Sequence, residues 1–100
     1  MVKKIGWSAT AQNDRKEILI YWKQRNKSDS YSKKLNYLFN EATNLIAKFP
    51  KVGKPSGYNN TRIKVVRDYL IVDKEYENLI LIVTVWDSRR NPLNLIKILQ

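Results

Sequence analysis

One hundred residues, 43% of them hydrophobic and 28% charged, suffice for a single domain over residues 1–100 and are too few for two. With neither cysteine nor histidine, the chain has no disulfide, thiol nucleophile, Cys-ligated metal or imidazole base, so Ser-His-Asp and Cys-His catalysis are excluded. The net charge of +10 asks for an anionic partner: nucleic acid, an acidic protein or an anionic surface.

The opening MVKKIGWSAT lacks the apolar run of a signal peptide. The longest apolar stretch, Leu79–Val83, is far short of a membrane span. A cytoplasmic protein with no membrane partner is therefore expected. Val2–Trp7 reads as an opening strand. Ser8 suits a helix cap, because its hydroxyl can accept a free backbone N–H of the first turn. Ala11, Ile18, Leu19 and Trp22 then fall on one stripe of a helix over Ala9–Gln24. Trp7 and Trp22 are expected to pack together at its base. Asn26–Ser30 is a polar break. Beyond it, Tyr31, Leu35, Leu38, Ala42, Leu45 and Phe49 recur at spacings of 4, 3, 4, 3 and 4, with Phe39 and Ile46 widening the stripe. This predicts a long amphipathic helix over Tyr31–Lys48 that buries Leu38, Ala42 and Leu45. Pro50 and Gly53 stop it, and the short connection predicts an antiparallel helical hairpin.

Lys51–Asn60, rich in Gly, Pro and Asn, reads as a loop. Thr61–Val66 alternates, with Ile63 and Val65 expected to face the helices and Arg62 and Lys64 the opposite side. Asp68 suggests a turn, Tyr69–Glu75 a second strand, and Tyr76–Asn78 a hairpin connection. Leu79–Trp86 is apolar on both faces, which predicts a central strand with Trp86 in the core. Asp87–Pro92 ends it. The apolar tail Leu93–Gln100 fits either a strand or a helix. Its Leu93, Leu95, Ile96, Ile98 and Leu99 suit packing on the sheet or docking a partner. The order predicts an α+β fold: an N-terminal strand, then a helical hairpin on one face of a small, mainly antiparallel sheet. The other face would be partly open or covered by something else.

Lys48, Lys51, Lys54, Arg62, Lys64 and Arg67 follow one another with no acid between, and Asp68, Asp73, Glu75 and Glu77 come directly after. With Arg89 and Arg90, the exposed members would make a basic concave patch. It reads either as a solvated face or as a binding surface. Lys51, Lys54, Arg67 and Arg89 are the candidate binding residues. Catalysis by this patch is possible in principle, because cations such as Arg62, Lys64 and Arg90 can stabilise a phosphorane-like transition state. Tyr58, Tyr69 and Tyr76 are candidates for moving protons, against the commoner role of packing. The sequence suggests no metal site and no cofactor.

The order of Trp7-Ser8-Ala9-Thr10-Ala11, Phe49-Pro50-Lys51-Val52-Gly53, Tyr69-Leu70-Ile71-Val72 and Trp86-Asp87-Ser88-Arg89-Arg90-Asn91-Pro92 resembles the RelE/ParE superfamily of type II toxin–antitoxin toxins. The resemblance implies a small bacterial toxin, as in plasmid stabilisation, that inhibits growth until a cognate acidic antitoxin neutralises it. Its RelE-like branch cuts mRNA on the ribosome, using second-strand cations matched here by Arg62 and Lys64 and a late Arg matched by Arg89 or Arg90. The Arg that often follows the third-strand Tyr is Leu70 here, and no His or Tyr follows Tyr76. Those departures, with the long hairpin, lean toward the ParE-like branch, which inhibits DNA gyrase and carries no such catalytic set. A basic nucleic-acid-binding domain without toxicity is the further alternative.

Overall fold

Ser8 does what its position predicts, and it also joins the first helix to the sheet. In a computed structural model describing residues 2–100, its hydroxyl oxygen accepts the Ala11 N–H at 3.0 Å and its hydroxyl donates to the Val83 carbonyl at 2.8 Å. Eight elements follow in chain order: β1 (Lys4–Trp7), α1 (Ala9–Asn26), α2 (Ser30–Lys48), β2 (Lys54–Pro55), β3 (Thr61–Val66), β4 (Tyr69–Glu75), β5 (Leu79–Asp87) and α3 (Pro92–Leu99). The strands form one sheet in the order β1-β5-β4-β3-β2. β1 runs parallel to β5, and every other pairing is antiparallel. The fold is α+β, with the α1–α2 hairpin on one sheet face. The Ser32 hydroxyl donates to the Leu19 carbonyl at 2.9 Å and pins the two helices together. The expected loop Lys51–Asn60 contains the short edge strand β2. The strand expected to be central, β5, is an interior strand flanked by β1 and β4, and it does bury both faces.

The hairpin-side core gathers Leu35, Phe39 and Ile46 of α2 against Val66, Tyr69, Ile71, Ile80, Ile82 and Val85. Phe39 and Ile46 are therefore the centre of the α2 stripe rather than its margin. Leu38 is only partly buried, Leu45 is 37% exposed and Phe49 is 60% exposed; of the three positions expected to be buried, only Ala42 is. The physical reason is that α2 offers two overlapping apolar stripes. The one that meets α1 and the sheet together wins. Leu38 and Leu45 are left facing a groove beside β3.

The alternation of β3 is as expected but its phase is inverted. Val66 is opposite Tyr69 and Lys64 opposite Ile71, and residues paired across strands share a face. Tyr69 and Ile71 belong to the hairpin-side core, so Lys64 and Arg62 lie on that side. Ile63 pairs with Val72 and packs on the opposite face, while Val65 is 61% exposed. Val66, at the end of the run, decides the phase.

The apolar tail is the helix α3. Asn91 caps it by accepting the Leu93 N–H at 3.0 Å, and Pro92 sits in its first turn, where a missing N–H costs nothing. Leu95 and Leu99 bury against Val72 and Trp86, so α3 covers the sheet face away from the hairpin. Trp86 is core, as expected. Trp7 and Trp22 do not pack on each other. They sit 15 positions apart on and before α1, about 20 Å along a helix. Trp7 carries the Arg15 guanidinium at 4.2 Å, and Trp22 meets the rings of Tyr21 and Tyr31.

Candidate functional site

The candidate cations separate toward the two ends of the sheet. At the end where β3 begins, the Arg62 guanidinium donates to the Gly53 carbonyl at 2.8 Å. The approach requires glycine: a Cβ at Gly53 would come within 2.9 Å of the Ile63 carbonyl oxygen. Arg62 pairs across the sheet with Asp73, which is almost fully buried, and neither Asp73 oxygen has a hydrogen-bond partner among the described residues. Burial pushes the Asp73 carboxyl up to about 6; the charge of Arg62 opposes that rise and that of Glu75 adds to it. Glu75 is itself held below its usual range by the Lys3 ammonium, which donates to it at 2.7 Å. Lys51, Arg62 and Glu75 share a cleft of about 390 Å³. Lys54 projects from the exposed edge strand beside them.

At the other end, Arg89 grips Asp87 through Nε at 2.9 Å and Nη2 at 2.8 Å. That contact lowers the Asp87 carboxyl and raises the guanidinium. Arg90 lies over the Trp86 ring at 4.0 Å. Arg89 and Arg90 line one wall of a cleft of about 380 Å³, whose other wall is α1 with Glu17, Ile18 and Tyr21. Arg67 holds the β3–β4 turn with φ 57°, and is exposed. Lys64 lies between the two ends, at the α2–β3 groove with Leu38, Leu45, Val65 and Arg67. Arg62 and Arg90 thus do not converge, and the cations expected in one basic patch are divided among the Lys51–Arg62 cleft, the α2–β3 groove and the Arg89–Arg90 cleft.

The tyrosines do not converge either. Tyr69 is buried, its hydroxyl oxygen accepts the Trp22 indole N–H at 2.7 Å, and burial raises its pKa. Tyr58 and Tyr76 are exposed at the opposite end.

Two features of the structure carry no local sequence signal. One is the α2–β3 groove, whose strand edge is open: β2 pairs only with Arg62 and Ile63, so Lys64–Val66 has no outer strand partner among the described residues. The other is Asp14, which accepts the Thr84 hydroxyl at 2.5 Å and the Val85 N–H at 3.1 Å where the β4–β5 register slips. A lone Asp on a helix carries no sequence signal for a strand irregularity 70 residues away. Asp14→Ala would leave both donors without this partner, at a cost of about 1–3 kcal/mol, read as a lower urea midpoint. An unmoved midpoint would show that water replaces the carboxylate.

The profile of the ParE toxin of the type II toxin–antitoxin system parDE matches residues 5–92. The chain belongs to the ParE toxin family. No match is found among curated proteins. Among solved structures, a chain of the chromosomal ParDE toxin–antitoxin system from P. aeruginosa superposes with a TM-score of 0.77 at 13% identity, covering 88% of this chain and 98% of that one. At that identity the likeness is one of fold. This ParE-family chain has no helix among its described residues long and apolar enough to cross a membrane.

Proposed function

We propose that this ParE-family chain acts in the cytoplasm as a toxin that inhibits DNA gyrase by protein contact, and that an acidic cognate antitoxin neutralises it. The observation that carries the reading is the dispersal of the cations. An RNA-cleaving site needs several of them around one phosphate. Here Arg62 is spent on Gly53 and faces Asp73, Arg89 is chelated by Asp87, and Arg90 is stacked on Trp86. Family membership favours the same reading. The α2–β3 groove suits the antitoxin: Leu38 and Leu45 supply apolar contact, Lys64 and Arg67 attract acidic side chains, and the open β3 edge can pair with an added strand.

The test uses purified gyrase and its supercoiling reaction. The wild-type chain should inhibit it, and an equimolar acidic antitoxin should abolish the inhibition. Lys64→Ala with Arg90→Ala is the informative double change, because Arg62 also supports the fold. Loss of two surface cations should weaken growth inhibition by no more than about tenfold. In a ribonuclease, each lost transition-state cation costs a factor of about 10² to 10³, so the pair would abolish toxicity. Abolished toxicity in a folded double variant would overturn the proposal in favour of RNA cleavage.

A further inference from the structure

The outer face of α1 is used by neither cleft and not by the groove. Gln12, Lys16 and Lys23 fall within an arc of about 40° on the helix, with Ile20 beside it and Lys27 following as the C-cap. The buried Ala11 and the core-facing Ile18 and Trp22 lie on the opposite side. Lys16, Lys23 and Lys27 are exposed, and none makes an ion pair among the described residues. The nearby acids point elsewhere or are occupied. Asp14 caps the β5 irregularity, Glu17 lines the Arg89–Arg90 cleft, and Asp29 pairs with Lys33 at 3.3 Å. Lys23 and Lys27 complement the C-terminal end of the helix, which accounts for them in part. Lys16, in mid-helix, has no such explanation.

From these observations we propose that the outer face of α1 docks on the phosphate backbone of duplex DNA, the polymer on which gyrase works. This rests on the gyrase reading for its setting, not for its chemistry. Lysines flanked by amides such as Gln12, Asn13 and Gln24 offer the point charges and donors that phosphate contacts use. The rise from Lys16 to Lys27 is about 16 Å, or about five base-pair steps along one strand. An anionic membrane fits less well. A helix lying in lipid needs a broad apolar face, and among the described residues the large apolar side chain exposed on this one is Ile20 alone. An acidic protein is better served by the α2–β3 groove, which adds apolar contact and a strand edge.

The test is fluorescence anisotropy of the full chain with a short labelled duplex of arbitrary sequence, followed against salt. Three phosphate contacts contribute a slope of about −2.7 in log affinity against log salt, about a 40-fold loss between about 50 and about 200 mM. The triple change Lys16→Gln, Lys23→Gln and Lys27→Asn should make the slope shallower by that amount. Asn suits position 27, where φ is 50°. Circular dichroism should report an unchanged fold. A wild-type chain that fails to bind the duplex at low salt, or a folded triple variant with the wild-type slope, overturns the proposal. So does triple-variant-sensitive binding to phosphatidylserine vesicles in place of DNA. Duplex binding through these lysines by a chain that leaves gyrase uninhibited supports the proposal and sinks the gyrase reading alone.

Discussion

Phe39→Ala should destabilise the chain by about 3–5 kcal/mol and Ile46→Ala by about 2–5 kcal/mol. Both side chains are fully buried at the junction of α1, α2 and the sheet, and Phe39 meets the Tyr69 ring edge-on with centroids 5.8 Å apart. Truncation there removes transfer energy and leaves a cavity between three elements that cannot all close in. For a domain with total stability of about 5–15 kcal/mol, either change takes a large share. Leu45→Ala, at the open groove, should cost about 1 kcal/mol or less, because water already reaches that side chain. Urea unfolding followed by tryptophan fluorescence ranks the three. If Leu45→Ala proved the costliest, the stripe through Leu38 and Leu45 would be the true core.

Asp73→Asn should stabilise the protein above neutrality, and the gain should vanish in acid. The Asp73 carboxyl titrates near 3.8 unfolded and about 6 folded, a difference worth about 3 kcal/mol. Below about pH 4 it is protonated in both states and adds no penalty. Between about pH 4 and about pH 6 the unfolded chain ionises first, so stability falls as pH rises. Above that window the whole cost stands. Glu75 and Asp87 work in the opposite sense: their lowered carboxyls contribute stability that is lost as pH falls. They are present in both proteins, so only the coupling of Glu75 to Asp73 survives in the difference. Unfolding free energies of wild type and variant at about pH 4 and about pH 7 measure the effect. A difference of equal size at both would mean that Asp73 is ionised throughout or that Asn cannot fill the site.

Much of the fold was legible because its signals are local. The Ser8 cap, the α2 period, the Gly- and Pro-rich exit and the doubly apolar β5 each lie within one short stretch. Phase was harder. In β3, Ile63 and Val65 are the obvious apolar pair, yet the register with Tyr69 and Ile71 hands the core to Val66. In α2, two overlapping stripes were available, and only the position of α1 chooses Phe39 and Ile46 over Leu38 and Leu45. Sites assembled across the sheet were least legible. That Arg62 would face Asp73, and Asp14 the Thr84 hydroxyl, depends on long-range register that no spacing encodes. The candidate cations are exposed or half-exposed charges, and where they gather is a property of the topology.

The gyrase reading is tested most directly by inducing the chain in bacteria and mapping transcript ends and chromosomal breaks in the same cells. Transcripts should stay intact and DNA breaks should appear at gyrase sites, the breaks being abolished by co-expressed antitoxin. Transcripts cut within translated codons, with an unbroken chromosome, would contradict it.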